Sequence, residues 1–185
     1  GPELEQLFVR TVVHQRILLR WLRETGRRPT ESTFACGVSL GGMVTTVLTA
    51  VEPDLRAAAI CLAGADLPAI LADSQETRIE QWRRWRRATD GIAGAPLELE
   101  LRRHLRSDPL HFAPFVPTDR VLLVATTLDD VVRPAHQQLL WEALGRPDRL
   151  SVPLGHYSAA LVLDSIVGAI AGFYGDRLPA AAATD

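Results

Sequence analysis

Gly37-Val38-Ser39-Leu40-Gly41-Gly42 is the stretch on which the reading of this chain turns. It fits G-x-S-x-G, and its surroundings give that pattern mechanical meaning. Upstream, Ser32 to Val38 reads as a short, largely apolar strand. Downstream, Leu40 to Val51 reads as a helix that opens abruptly and stops near Glu52-Pro53-Asp54. A sharp strand-to-helix turn puts the serine in a strained backbone conformation and exposes its hydroxyl. Gly37 and Gly41 are expected to be glycine because a Cβ at either would collide with neighbouring backbone. The turn also aims the Leu40 N–H, at the helix N-terminus, toward an oxyanion beside Ser39. A plain Gly/Ser-rich turn would give the same letters; the strand–turn–helix context favours the nucleophile.

Working outward, Arg56 to Ala63 is a continuous apolar run of the kind found in strands covered on both faces, and Arg120 to Ala125 is a second. Leu150 to Pro153 is a shorter one. Helical spacing marks Glu3 to Glu24, ending at Gly26, then Ala135 to Leu144 and Tyr157 to Tyr174, the last apolar enough to be expected in the core. Strands alternating with helices predict an α/β fold with a mostly parallel sheet flanked by helices. The section Asp66 to Pro117 breaks that rhythm, with helices near Glu76 to Thr89 and Leu97 to Arg106. It is read as a helical cap inserted into a single domain spanning residues 1–185.

A serine hydroxyl needs a base to become nucleophilic. Among the five histidines, only His156, in Gly155-His156-Tyr157, follows a predicted strand at the sheet end where Ser39 must lie. The carboxylate that orients it should follow another strand. Val121 to Ala125 is followed by Thr126-Thr127-Leu128-Asp129-Asp130, so two adjacent acids compete, and Asp129 is favoured over Asp130. The order Ser39, Asp129, His156 is that of the α/β hydrolases.

On these motifs the chain resembles the α/β-hydrolase superfamily, from its first helix to Tyr174, through GVSLGG, a strand followed by TTLDD, and LGHYSAAL. A weaker resemblance, carried by Ala65-Asp66-Leu67 and by Ser74 with Glu76-Thr77-Arg78, is to a bacterial dienelactone-hydrolase-like, abhydrolase-domain subgroup. The superfamily places the acid three residues before a valine, which selects Asp129 ahead of Val132. The resemblance implies a serine hydrolase acting on a small-molecule carboxylic ester or thioester, with an amidase or acyltransferase using the same residues as the alternative. It needs no cofactor and no metal. It also implies several strands and a second oxyanion amide before the nucleophile, whereas Ser39 has 38 residues before it. The chain therefore reads either as an N-terminally truncated piece or as an unusually reduced hydrolase. The alternative function is a weakly active or non-catalytic hydrolase-fold domain, and missing strands would leave an open sheet edge through which copies could self-associate.

Composition excludes other classes. Of 185 residues 47% are hydrophobic and 23% charged, a globular balance. The formal charge of −2 gives no electrostatic reason to bind nucleic acid or an anionic membrane. All 20 basic residues are arginine, so no lysine Schiff base is available. Cys36 and Cys61 read as small buried hydrophobes of a reducing, cytoplasmic setting. The greasy stretch Ala159 to Phe173 carries Asp164 and reads as too short to span a bilayer. Trp82 and Trp85 are expected to pack inward from an arginine-solvated helix, and Trp21 and Trp141 to sit in the core. His104, Asp108 and His111 have a metal-like spacing that Pro109 interrupts. Met43 and Leu40 are candidates to line an acyl pocket or the core.

Overall fold

The computed structural model of the chain describes residues 1–26 and 33–178. The polar turn expected at Arg27 to Glu31, the strand start at Ser32 and the Ala-rich tail from Pro179 lie outside them. Among the described residues, four strands form one sheet in the order β1 (Phe34–Val38), β2 (Ala57–Cys61), β3 (Val121–Thr126) and β4 (Asp148–Val152), every neighbouring pair parallel. Each crossover is helical. α1 (Pro2–Glu24) precedes the sheet, and α2 (Leu40–Val51) joins β1 to β2. α3 (Leu67–Asp73), α4 (Thr77–Asp90), α5 (Ala95–His104) and the single turn α6 (Pro109–Phe112) lie between β2 and β3. α7 (Pro134–Ala143) leads to β4 and α8 (Leu163–Gly175) ends the fold.

The strand alternation divides the interior in two. Ile60, Val121 and Leu123 face α1, α2, α3, α5 and α7, where Phe8, Met43, Val47, Ile70, Leu101 and Leu140 make the larger core. Ala57, Ala59, Cys61, Leu122 and Val124 face α8, through Ile166 and Phe173. All of β2 and β3 is buried, as the apolar runs predict for strands covered on both faces.

α8 departs from the expectation. It was expected to be packed, yet only Ile166 and Phe173 of its residues are buried, and Leu163 and Val167 face outward, as does Leu161 in the preceding 3₁₀ turn at 82% exposure. Ser158–Gly175 is long and apolar enough by composition to cross a membrane, against the reading from length. Its first five residues are a 3₁₀ segment, however, leaving a 13-residue α-helix. At 1.5 Å per residue that helix is about 20 Å long, short of the ~30 Å hydrocarbon layer. One polar contact ties α8 to the sheet. The Tyr174 hydroxyl sits between β1 and β2, donating to the Ala35 carbonyl and accepting the Ala59 N–H at 2.9 Å, while the ring stacks on Phe34 at 4.6 Å. Burial pushes the Tyr174 phenol well above its ordinary range.

Two tryptophan expectations also fail. Trp21 is 45% exposed and Trp85 57% exposed. Trp82 does pack against the core, but the buried residue one turn along α4 is Arg86, whose guanidinium is held by Glu100 at 2.8 Å and by Asp90. Trp141 packs as expected, its indole donating to the Pro147 carbonyl at 2.9 Å.

Candidate active site

Ser39 stands between β1 and α2 with φ 56° and ψ −121°, a region L-residues rarely adopt. Its N–H donates to the Cys61 carbonyl at 2.8 Å, which pins the turn to the end of β2. Gly37 is required by contact: a Cβ there would lie 2.1 Å from the Gly41 carbonyl oxygen and 2.4 Å from Thr45 Oγ1. Gly41 is not. A Cβ at that position meets nothing within 4 Å, because Gly41 lies on the exposed side of the first turn of α2. The second constrained glycine is Gly42, which faces the sheet. Its Cβ would stand 2.8 Å from that of Ala63 and 3.0 Å from the Cys61 carbonyl oxygen. The Leu40 N–H is the first of α2 and has no acceptor within the helix.

His156 and Asp129 arrive from the loops after β4 and β3. Two backbone bonds hold those loops together, Thr127 N–H to the Val152 carbonyl at 3.0 Å and Leu128 N–H to the Leu154 carbonyl at 3.1 Å. Gly155 fits there closely, since a Cβ would stand 3.1 Å from the Leu128 carbonyl oxygen. His156 Nδ1 lies 2.8 Å from Asp129 Oδ2, with side-chain exposures of 8% and 0%. Burial drives the Asp129 carboxyl upward. The hydrogen bonds from His156, Thr126 and the Val132 amide outweigh it and leave the group below its ordinary range. An ionised carboxylate only accepts, so Nδ1 carries the proton and Nε2 is left as the base.

Asp130 is not the partner of His156. It is exposed, and its carbonyl accepts the Gln75 N–H at 3.1 Å. Ser39 Oγ and the His156 ring are not hydrogen-bonded to each other. Val38 and His156 instead line one apolar cavity of about 320 Å³, with Cys61, Leu62, Leu163 and Ile166. Leu62 itself has φ 52°, a second strained residue at this end of the sheet. Met43 is in the core, whereas Leu40 is exposed beside a groove between α1 and β1. Asp108 is occupied by the backbone amides of Asp66, Leu67 and Leu110, a loop-fixing role. Cys61 is buried as expected, but Cys36 on the same face of β1 is exposed. A hydrogen bond from Cys61 lowers the Cys36 thiol to about 7 against the opposing effect of burial, and the same contact raises that of Cys61.

Sequence reasoning passed over Gly42, Thr126 and Gln137. Thr126 gives its hydroxyl to Asp129 Oδ2 at 2.7 Å, and Gln137 reaches the same oxygen at 3.1 Å. Gln137 was open to discovery: it lies three and seven residues before Leu140 and Leu144, on the buried face of α7.

No protein-family model and no curated protein matches the sequence. Solved structures do. A puromycin-hydrolyzing peptidase from Mycobacterium tuberculosis is similar at 21% identity and a TM-score of 0.64, over 87% of this chain and 24% of its own. An esterase from Pyrococcus furiosus is similar at 11% identity and 0.63, over 90% and 61%. An alpha/beta hydrolase from a Penicillium species is similar at 18% identity and 0.59, over 92% and 72%. This chain thus spans a quarter of the peptidase and three fifths of the esterase. With its parallel sheet, its strained serine between β1 and α2, and these likenesses, the chain has the α/β-hydrolase fold.

Proposed function

We propose that the chain is a serine hydrolase that cleaves a carboxylic ester or thioester through an acyl-enzyme on Ser39. The observation that carries this reading is the buried Asp129–His156 pair at 2.8 Å, at the same end of the sheet as a serine with φ 56°. Ser39 Oγ attacks the carbonyl carbon while His156 Nε2 takes its proton. Asp129 keeps the Nδ1–H tautomer and stabilises the imidazolium. The Leu40 N–H donates to the oxyanion. His156 then protonates the departing alcohol or thiol, and afterwards takes a proton from the water that hydrolyses the acyl-enzyme. Substrate binding has to bring Ser39 and His156 within hydrogen-bond distance, since such contacts tighten in the bound complex.

A second reading is favoured by β1, which among the described residues stands at an edge of the sheet. With Leu40 as the one oxyanion donor assigned, the rate falls short by ~10²–10³ relative to a two-donor site. On that reading the chain is a weakly active or non-catalytic hydrolase-fold domain. Labelling with a fluorophosphonate probe separates the two. The hydrolase reading expects the natural chain to label and Ser39→Ala to stay unlabelled. Equal labelling of both, or of neither, refutes it.

A further inference from the structure

Asp129 is held by more than its histidine. Its Oδ2 receives His156 Nδ1–H at 2.8 Å, the Thr126 hydroxyl at 2.7 Å and the Gln137 amide at 3.1 Å. Its Oδ1 receives the Val131 and Val132 amides at 2.9 and 2.8 Å. Five donors on one carboxylate fill its acceptor sites and leave it one orientation.

Gln137 organises this cluster. It is 1% exposed, and every polar atom of its side chain is used. Oε1 accepts the Thr126 N–H at 2.9 Å, and Nε2 donates to the Val132 carbonyl at 2.7 Å. The remaining amide hydrogen is shared between Asp129 Oδ2 and Thr126 Oγ1, both at 3.1 Å. The amide therefore joins the end of β3, the loop carrying Asp129 and the first turns of α7. A buried amide costs desolvation that an aliphatic side chain would not, so packing alone does not call for glutamine here.

We propose that Gln137, acting with the Thr126 hydroxyl, is a positioning residue that fixes the Asp129 carboxylate in the orientation His156 needs. Its catalytic consequence rests on the hydrolase reading above; its geometric content does not.

The test follows the His156 ring by ¹H–¹⁵N NMR titration in the natural chain, Thr126→Val, Thr126→Ser and Gln137→Met. The other titratable groups facing the ring are Asp129, Tyr157, edge-on at 5.4 Å, and Cys61 across the cavity. A carboxylate stripped of a donor is more basic and holds an imidazolium more tightly. Thr126→Val and Gln137→Met are therefore expected to raise the His156 midpoint by about half a pH unit or more, and Thr126→Ser to keep it unchanged. Fluorophosphonate labelling at pH 7 should slow about tenfold in Gln137→Met. Unchanged midpoints in the folded variants overturn the proposal. Should Gln137→Met not fold, Thr126→Val, which loses a single hydroxyl, decides alone. A natural chain that does not label refutes the hydrolase reading, and the titration still decides the positioning.

Discussion

Gly37→Ala and Gly41→Ala are the same substitution four residues apart and should have opposite effects. At position 37 the new methyl would meet the Gly41 carbonyl oxygen at 2.1 Å, its carbon at 2.4 Å and Thr45 Oγ1 at 2.4 Å. Two of those atoms are backbone, so relief requires α2 to move off β1 or the serine turn to open. Over-packing of this kind costs about 3 kcal/mol, the upper part of its usual range. For a domain of this size that lowers Tm by about 6–12 °C. Position 41 is helical with no neighbour within 4 Å, so alanine there removes backbone freedom from the unfolded chain and stabilises by about 0.5–1 kcal/mol. Urea unfolding monitored by tryptophan fluorescence gives both values, and fluorophosphonate labelling reads the turn itself. Gly37→Ala should lose labelling in the fraction that remains folded, while Gly41→Ala keeps it. Equal stability of the two variants, or full labelling of Gly37→Ala, would refute the contact argument.

Asp129→Asn should slow labelling roughly 10³–10⁴-fold, because an amide can present N–H to Nδ1 and stabilise the wrong tautomer, whereas Asp130→Asn should label at the natural rate. Asp129 also sets an acid limit on stability. Its folded value lies below the unfolded one of about 4, so its contribution is complete about a pH unit above that unfolded value and is lost as the pH falls through the folded value. The urea midpoint should therefore decline between pH 5 and pH 2.5, and less steeply in Asp129→Asn. Iodoacetamide should modify Cys36 with a rate midpoint near pH 7 and leave Cys61 untouched, read by peptide mass spectrometry; equal modification of both would count against the shift to about 7.

What could be read from the letters depended on whether a local rule or a neighbour decided the outcome. Leu40–Val51 was readable to the residue, because a serine turn opens it and Glu52-Pro53 closes it. β2 and β3 were legible as buried runs, since strands covered on both faces leave no room for polar alternation. The pairing of His156 with Asp129 followed from placing both after strands of a parallel sheet. Choosing Asp129 over Asp130 took more. What turns Asp129 inward is Thr126 within its own segment and Gln137 eight residues on, and single residues give little notice of a converging cluster. α8 departs from its spacing for another reason. Apolar spacing marks a face that avoids water but not whether anything in the chain covers it. Trp85 and Arg86 exchanged their expected places because Glu100, on a different helix, makes arginine the better inward residue.

The Tyr174 hydroxyl constrains the order in which the molecule can be assembled on the ribosome. Ala35 and Ala59 both emerge before the group that bridges them, which is 115 residues beyond Ala59. Until that ring emerges, a carbonyl of β1 and an amide of β2 remain hydrated, and the faces of Ala57, Ala59 and Cys61 stay bare. The strand that presents Ser39 is thus completed only after more than a hundred further residues of the sheet and its helices have been made, so translation stalled before α8 would leave the serine without a finished support.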